Sequence, residues 1–506
     1  MNYDCRPDHC SVGRSDAGPV MKFHIIQPLS LALLLVPAAV LADYQDDIGY
    51  RALEEGHRLI SKGAGLRVGQ VEAPIDQAYM PDRTQLDFLG KQIFPINLLN
   101  SSGHATMVGR LFYGSSGIAP DVPAVNVYNS NDFLLGKGLR VGQRQAPAKL
   151  NVSVLNNSWI AAFNSDSQNI EAIRRLDLVI KRDDVVEVSS VDNGAGSAYP
   201  KLLATAYNGI AVGIVEGSSD GPITFDSRGP RAKPDIVAPV NSTSEAAGAV
   251  SGAAALLRSE AKARQMNVNE LTTKALLMAG AERPDDWQRG AAGTQDDVKA
   301  PLDYRYGAGS LRVDNSFDIL VAGQQPQGGS DTGWDAGLAK KKNRIYQFNI
   351  ADDDQAQEKD AFTAMLTWNR EVKRSVRGVF NTSLANMQLS LMLKSGRRWT
   401  RVSTSDSDFD NLESITLDDL AAGTYRLVVR SDRPEPYSLA WFTSQEDDSG
   451  GSNSGPGSGN STLVSIDGNL SVGGIVATAV PEPTMLGLLI PAVATLALRQ
   501  KKTARR

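Results

Sequence analysis

Cysteine is almost absent from this chain of 506 residues, occurring only as Cys5 and Cys10. Both lie in a polar stretch upstream of Met21, where translation is expected to start. The mature chain then has no thiol, which excludes disulfides and a cysteine nucleophile and leaves core burial or bound ions to hold the fold. Histidine is scarce as well. Of four, His9 and His24 fall in the leader, so His57 and His104 are the only imidazole bases of the mature protein. A basic excess is also missing: 52 Lys and Arg stand against 57 Asp and Glu, a net charge of −5, which gives no nucleic-acid footprint. Long apolar runs are confined to the two ends.

From Met21, MKFHIIQPLSLALLLVPAAVLA carries Lys22, an apolar core from Ile25 to Val36 and a Val-Leu-Ala exit at 40–42. This is the layout of a secretory signal, so residues 1–42 are read as leader and signal peptide, with signal peptidase as a partner and export as the destination. The other end reads Val480-Pro481-Glu482-Pro483-Thr484, then an apolar run to Leu498 with only Thr495 polar, then Arg499, Lys501, Lys502, Arg505 and Arg506. The run is shorter than the ~20 residues of a full span, but the basic cluster behind it would hold it in the inner membrane with the body outside. This three-part end resembles the PEP-CTERM sorting signal. The resemblance implies processing by an exosortase, and transient membrane attachment through 480–506.

Residues 43–63 have a helix-like pattern in Ile48, Leu53, His57 and Ile60, and are expected to form one leading amphipathic helix. From 64 to 323, runs suited to buried strands (Leu66–Val71, Asn151–Leu155, Val185–Val191, Ile210–Val215) alternate with candidate helices (Thr106–Phe112, Ile170–Lys181, Glu245–Arg258, Val268–Ala279). That alternation predicts an α/β fold, a parallel sheet flanked by helices. Over 343–445 the pattern becomes all-β, with about six or seven short strands and hence a β-sandwich. Residues 446–479 read as a Gly/Ser-rich linker.

Four separate segments carry chemistry. Asn241-Ser242-Thr243-Ser244 runs into a long Ala/Gly helix, which puts a serine hydroxyl where unpaired N–H groups and the helix dipole favour negative charge. Ser102-Gly103-His104 presents an imidazole at another helix start, whereas His57 reads as a surface residue. Glu72 closes a strand-like run, with Asp76 as the substitute carboxylate. Asn193 sits in an Asp-Asn-Gly turn after the strand at 185–191. A serine hydroxyl is a weak nucleophile that needs a base, and the base needs a carboxylate to fix its tautomer.

Gly103-His104-Ala105-Thr106-Met107-Val108-Gly109 and Thr243-Ser244-Glu245-Ala246-Ala247-Gly248-Ala249-Val250-Ser251-Gly252 resemble the His and Ser motifs of subtilisin-like serine peptidases. Ile118-Ala119-Pro120-Asp121 before a strand, Asn156-Asn157-Ser158-Trp159 ending another, and Arg231 to Pro239 before the Ser segment add to the resemblance. It implies a catalytic set of Glu72, His104 and Ser244, an oxyanion donor in Asn193, and substrate pairing along Ser158 and Trp159. Glu72 stands where Asp is usual, Gly248 replaces a proline, and Glu245, placed at the first helical position, adds a charge beside the nucleophile. Asn193 also argues against the sedolisins, which have Asp there. The region 343–445 resembles the jelly-roll modules of secreted bacterial proteases.

No cofactor is required. Asp406, Asp408 and Asp410 alternate as calcium ligands can, but lack the glycine and terminal glutamate of an EF-hand loop. Two functions remain: an exported serine endopeptidase acting on polypeptides, or a catalytically inactive peptide-binding protein of the envelope or matrix.

Overall fold

A computed structural model describes residues 44–444, apart from 97–99, 195, 197, 219–220, 292, 294–296, 341 and 352–359. The signal peptide expected at 1–42, the linker and the PEP-CTERM segment lie outside the described residues. Among the described residues no helix is long and apolar enough to cross a membrane.

Short runs of buried Val, Ile and Leu build a seven-stranded sheet, as expected of strands covered on both faces. The strands are β1 (Arg67–Glu72), β2 (Gln92–Phe94), β3 (Ala124–Asn129), β4 (Val154–Asn157), β5 (Val186–Ser190), β6 (Ile210–Ile214) and β7 (Ile236–Ala238). Their order is β2-β3-β1-β4-β5-β6-β7, and every pairing is parallel. The α-helices that bear on the site and its packing are α1 (Tyr50–Glu55), α2 (Gly103–Tyr113), α3 (Asp166–Asp183), α4 (Thr243–Ala263), α5 (Glu270–Ala279) and α6 (Val313–Ala322). On β1, Val68 joins the core beneath α2 and α4, while Val71 joins the core beneath α3. Alternation then puts Gln70 and Glu72 on the α2 side, with Val68.

The leading stretch differs from expectation. It is broken at Gly49, whose φ of 71° is left-handed and whose missing Cβ would lie 2.1 Å from the Asp314 carboxyl, and α1 ends before Gly56. His57 is exposed.

Helix α4 is buried almost throughout, which its Ala and Gly content permits. A Cβ at Gly248 would come within 3.3 Å of Val108 O and Leu111 Cβ, and one at Gly252 within 2.8 Å of Ile118 Cβ. Small residues one turn apart therefore let the serine-bearing helix settle directly on the histidine-bearing one. This is why Gly248 occupies its position.

The all-β part begins earlier than residue 343, with β8 (Gly333–Ala339). Strands β9 (Arg344–Ile350), β10 (Asp360–Trp368), β13 (Met387–Ser395), β14 (Arg398–Ser405), β15 (Leu412–Leu420), β16 (Gly423–Ser431) and β17 (Glu435–Ser444) follow, with a separate hairpin of β11 (Glu371–Arg374) and β12 (Phe380–Ser383). Two antiparallel sheets form, β15-β10-β17-β8 and β14-β13-β16-β9, and apart from the β13–β14 pair successive strands of the sandwich cross between them as in a jelly roll. Their facing sides share one core, in which Phe348 of β9 stacks on Phe362 of β10 with centroids 5.4 Å apart. The sandwich thus has eight strands, one or two more than the alternating pattern revealed.

The two parts share a buried junction. Arg370 donates to Asp177 Oδ2 through Nε and Nη2 (2.8 and 2.6 Å) and to Asp226 Oδ2 through Nη1 (2.6 Å), and it lies over the Tyr207 ring. Thr272 of α5 meets Ser438 of β17 at 2.8 Å, and Asn369 donates to Glu270 at 2.8 Å. Arg370→Ala leaves the buried carboxylate of Asp177 without its cation, while Asp226 keeps Arg174, so denaturant unfolding is expected to show a loss of about 3–5 kcal/mol. A midpoint and slope equal to wild type would contradict this assignment of the junction.

Candidate functional site

Ligands of open parallel sheets bind beyond the carboxyl ends of the strands, where the strand order reverses. Here β2 and β3 lie on one side of β1 and β4 to β7 on the other. Glu72 is the last residue of β1, Ser158 and Trp159 follow β4, and the loop after β5 carries Asn193. Helices α2 and α4 begin with Ser102 and Ser242 as N-caps, so His104 and Ser244 each stand in a first turn.

Glu72 and His104 meet directly. The carboxylate, 1% exposed, accepts through Oε2 at 2.7 Å from His104 Nδ1, while the imidazole is 25% exposed. Asp76 is exposed in the Ile75–Ala78 turn with φ 47°, so the carboxylate on the imidazole is that of Glu72. A proton on Nδ1 leaves the Nε2 lone pair as the basic end of the neutral ring.

The other carboxylate oxygen of Glu72 is held too. Gln70 Nε2 donates to Glu72 Oε1 at 2.7 Å and to Ala105 O at 2.9 Å, and Tyr113 donates its hydroxyl to Gln70 Oε1. Ala105 O can only accept, which fixes the amide orientation. Burial, and then the charge of Glu72, push the Tyr113 phenol well above its usual range, so it stays a donor.

Ser244 is 3% exposed, and its hydroxyl donates to Ser158 O at 3.4 Å. The Ser158 hydroxyl lies 2.8 Å from Asn156 Oδ1 and 3.3 Å from Ser244 O, tying the end of β4 to the first turn of α4. The Trp159 ring is buried in the α3-side core, so the segment offers backbone rather than an indole to a bound peptide. Asn193 Oδ1 accepts from Thr243 N at 2.8 Å and Thr243 Oγ1 at 3.1 Å. A backbone N–H can only donate, which fixes the amide and makes Nδ2 the donor end beside the serine-bearing turn.

Glu245 is the third helical residue, not the first. Its carboxylate accepts from Asn241 N (3.1 Å) and Ser242 Oγ (3.3 Å) while Ser242 Oγ accepts from Glu245 N, an arrangement close to a capping box. The charge beside Ser244 is therefore turned onto the helix cap. Asp406 and Asp408 both face Lys299 Nζ (3.4 and 3.2 Å), whereas Asp410 is buried and accepts from Ala232 N at 3.3 Å. Residues 406–410 lie in the loop between β14 and β15. Among the described residues no group of three or more His, Cys, Asp or Glu could hold a metal.

The contacts of Gln70, Tyr113, Asn156 and Thr243 escaped the sequence reading. Only Gln70 left a signal, its two-residue spacing from Glu72 on one strand face.

Residues 95–309 match the subtilase family, Peptidase_S8. The parallel sheet flanked by helices in which this match lies is subtilisin-like in fold. The match takes in His104, Asn193 and Ser244 and begins after β1 and Glu72. No curated protein matches the chain. Among solved structures it is similar to the prenylagaramide maturation protease PagA, at 18% identity and TM-score 0.38, covering 53% of this chain and 98% of that one. It is also similar to the PatG macrocyclase domain (16%, TM-score 0.39, 55% and 98%) and to the MycP3 protease of the type VII (ESX-3) secretion system (17%, 0.33, 54% and 87%).

Beneath the site, Glu187 of β5 is buried, and desolvation raises its carboxyl to about 7, against hydrogen bonds from Ser189 and Asn157 (2.7 Å). The folded state keeps this proton to higher pH than the unfolded chain, so stability is lost as pH rises from about 4.5 to 7. Glu187→Gln is expected to gain on the order of 1–3 kcal/mol at pH 8 and almost nothing at pH 4. Denaturation at the two pH values checks this, and an equal gain at both would contradict it.

Proposed function

We propose that this protein is an exported serine endopeptidase that hydrolyses polypeptides through an acyl-enzyme. The observation that carries the reading is the 2.7 Å contact between Glu72 and His104 Nδ1 in a subtilisin-like domain whose serine-bearing helix starts beside Asn193. In this mechanism Ser244 Oγ attacks the peptide carbonyl carbon and His104 Nε2 takes its proton. Glu72 keeps the ring in the tautomer that can do so and stabilises the imidazolium. The tetrahedral oxyanion is stabilised by Asn193 Nδ2 and the backbone N–H of Ser244, at the positive end of the α4 dipole. His104 then hands the proton to the leaving amine, and water releases the acyl group by the same steps. The backbone of Ser158 and Trp159 aligns an extended substrate.

Export rests on the signal-like residues 21–42, and the tripartite end at 480–506 supports exosortase processing after transient residence in the inner membrane. The sandwich would then serve stability or localisation.

Treatment with a fluorophosphonate is expected to label the wild type and not Ser244→Ala. Equal labelling of both would remove Ser244 as nucleophile, and labelling of neither would favour the inactive peptide-binding alternative. Asn193→Ala is expected to lower turnover about 10²–10³-fold with little change in KM. An unchanged turnover would remove it from the oxyanion site.

A further inference from the structure

We propose that Gln70 and Tyr113 are positioning residues that hold the Glu72 carboxylate for His104, an inference that rests on the acid–base reading above. A glutamate has one more rotatable bond than an aspartate, so a buried Glu reaches the imidazole in a single orientation only if its carboxylate is held elsewhere. Gln70 supplies that hold. One amide hydrogen binds Glu72 Oε1 and the other binds Ala105 O, the carbonyl next to His104 on α2, so one planar group fixes the acid relative to the helix that carries the base. With Oε1 occupied, Oε2 faces the imidazole.

Tyr113 completes the chain of donors by binding Gln70 Oε1, so the amide cannot rotate without leaving buried polar atoms unpaired. The phenol is itself confined by Phe88 and Phe112, with ring centroids 5.6 and 5.4 Å away. It also needs Gly109. A Cβ there would lie 2.8 Å from the Tyr113 hydroxyl, which stands one helical turn on along the same face. Strand β1 and helix α2 are thereby joined through three polar side chains ending on the catalytic pair.

The test compares fluorophosphonate acylation of the full chain as wild type, Tyr113→Phe, Gln70→Leu, Glu72→Gln and the Gln70→Leu/Glu72→Gln double variant, with melting temperatures alongside. Gln70→Leu and Tyr113→Phe are each expected to lower the maximal acylation rate about 10- to 100-fold, with the half-saturating reagent concentration unchanged. Tyr113→Phe removes a single oxygen and stays informative if the leucine variant fails to fold. In the Glu72→Gln background, Gln70→Leu is expected to lower the rate less than about twofold, because the group it positions has already gone. Equal losses from Gln70→Leu in both backgrounds would reduce Gln70 to a structural role and overturn the proposal. Wild-type rates in Gln70→Leu and Tyr113→Phe beside a slowed Glu72→Gln would overturn this proposal alone. A wild-type rate in Glu72→Gln would overturn the acid–base reading on which it rests.

Discussion

One charge-assisted hydrogen bond organises the upper edge of this domain, that from the His104 ring to the buried carboxylate of Glu72. It sets which ring nitrogen carries the proton, and so which one is the base. Everything around it serves that placement: a strand that ends at the acid, a capped helix that begins beside the base, and a second helix whose glycines let the serine-bearing turn lie against the first.

The second constraint is that the domain does not end where its sheet does. Helix α5 lies between the parallel-sheet core and strands β10 and β17, and Trp334, Met365, Leu412 and Ala440 of the sandwich belong to the same apolar cluster as the helices of the parallel-sheet domain. The described residues, which include no cysteine, are stabilised by extending one core across two architectures and sealing the seam with the buried Arg370, Asp177 and Asp226 group. Such a group is arranged for geometry more than for net stability, since desolvation offsets much of its Coulombic attraction.

Much of the fold was legible because its strands carry short runs of buried Val, Leu and Ile. β1, β4, β5 and β6 fall within a few residues of the runs that announced them. Strand β15 was hidden because LESITLDDL carries three acidic residues, one of which, Glu413, is buried and bound by Ser405 and by the backbone of Ser407. β8, with glycine at two of seven positions, gave no alternating pattern. At the site, Glu72, His104, Asn193 and Ser244 could be picked out through the resemblance of their segments to subtilisin-like motifs, and the choice between Glu72 and Asp76 depends on where β1 stops and the turn begins. Gln70 in an apolar strand and Tyr113 in a helix read as ordinary residues, since their partners are distant in sequence.

The central claim is that Glu72 dictates the state of His104, and the tautomer of that ring tests it most directly. Nitrogen-15 NMR of the histidine-labelled protein, at a pH where His104 is neutral, is expected to show the proton on Nδ1 in the wild type and a mixture of both forms in Glu72→Ala. A wild-type ring protonated on Nε2, or a tautomer indifferent to removal of the carboxylate, would contradict the account.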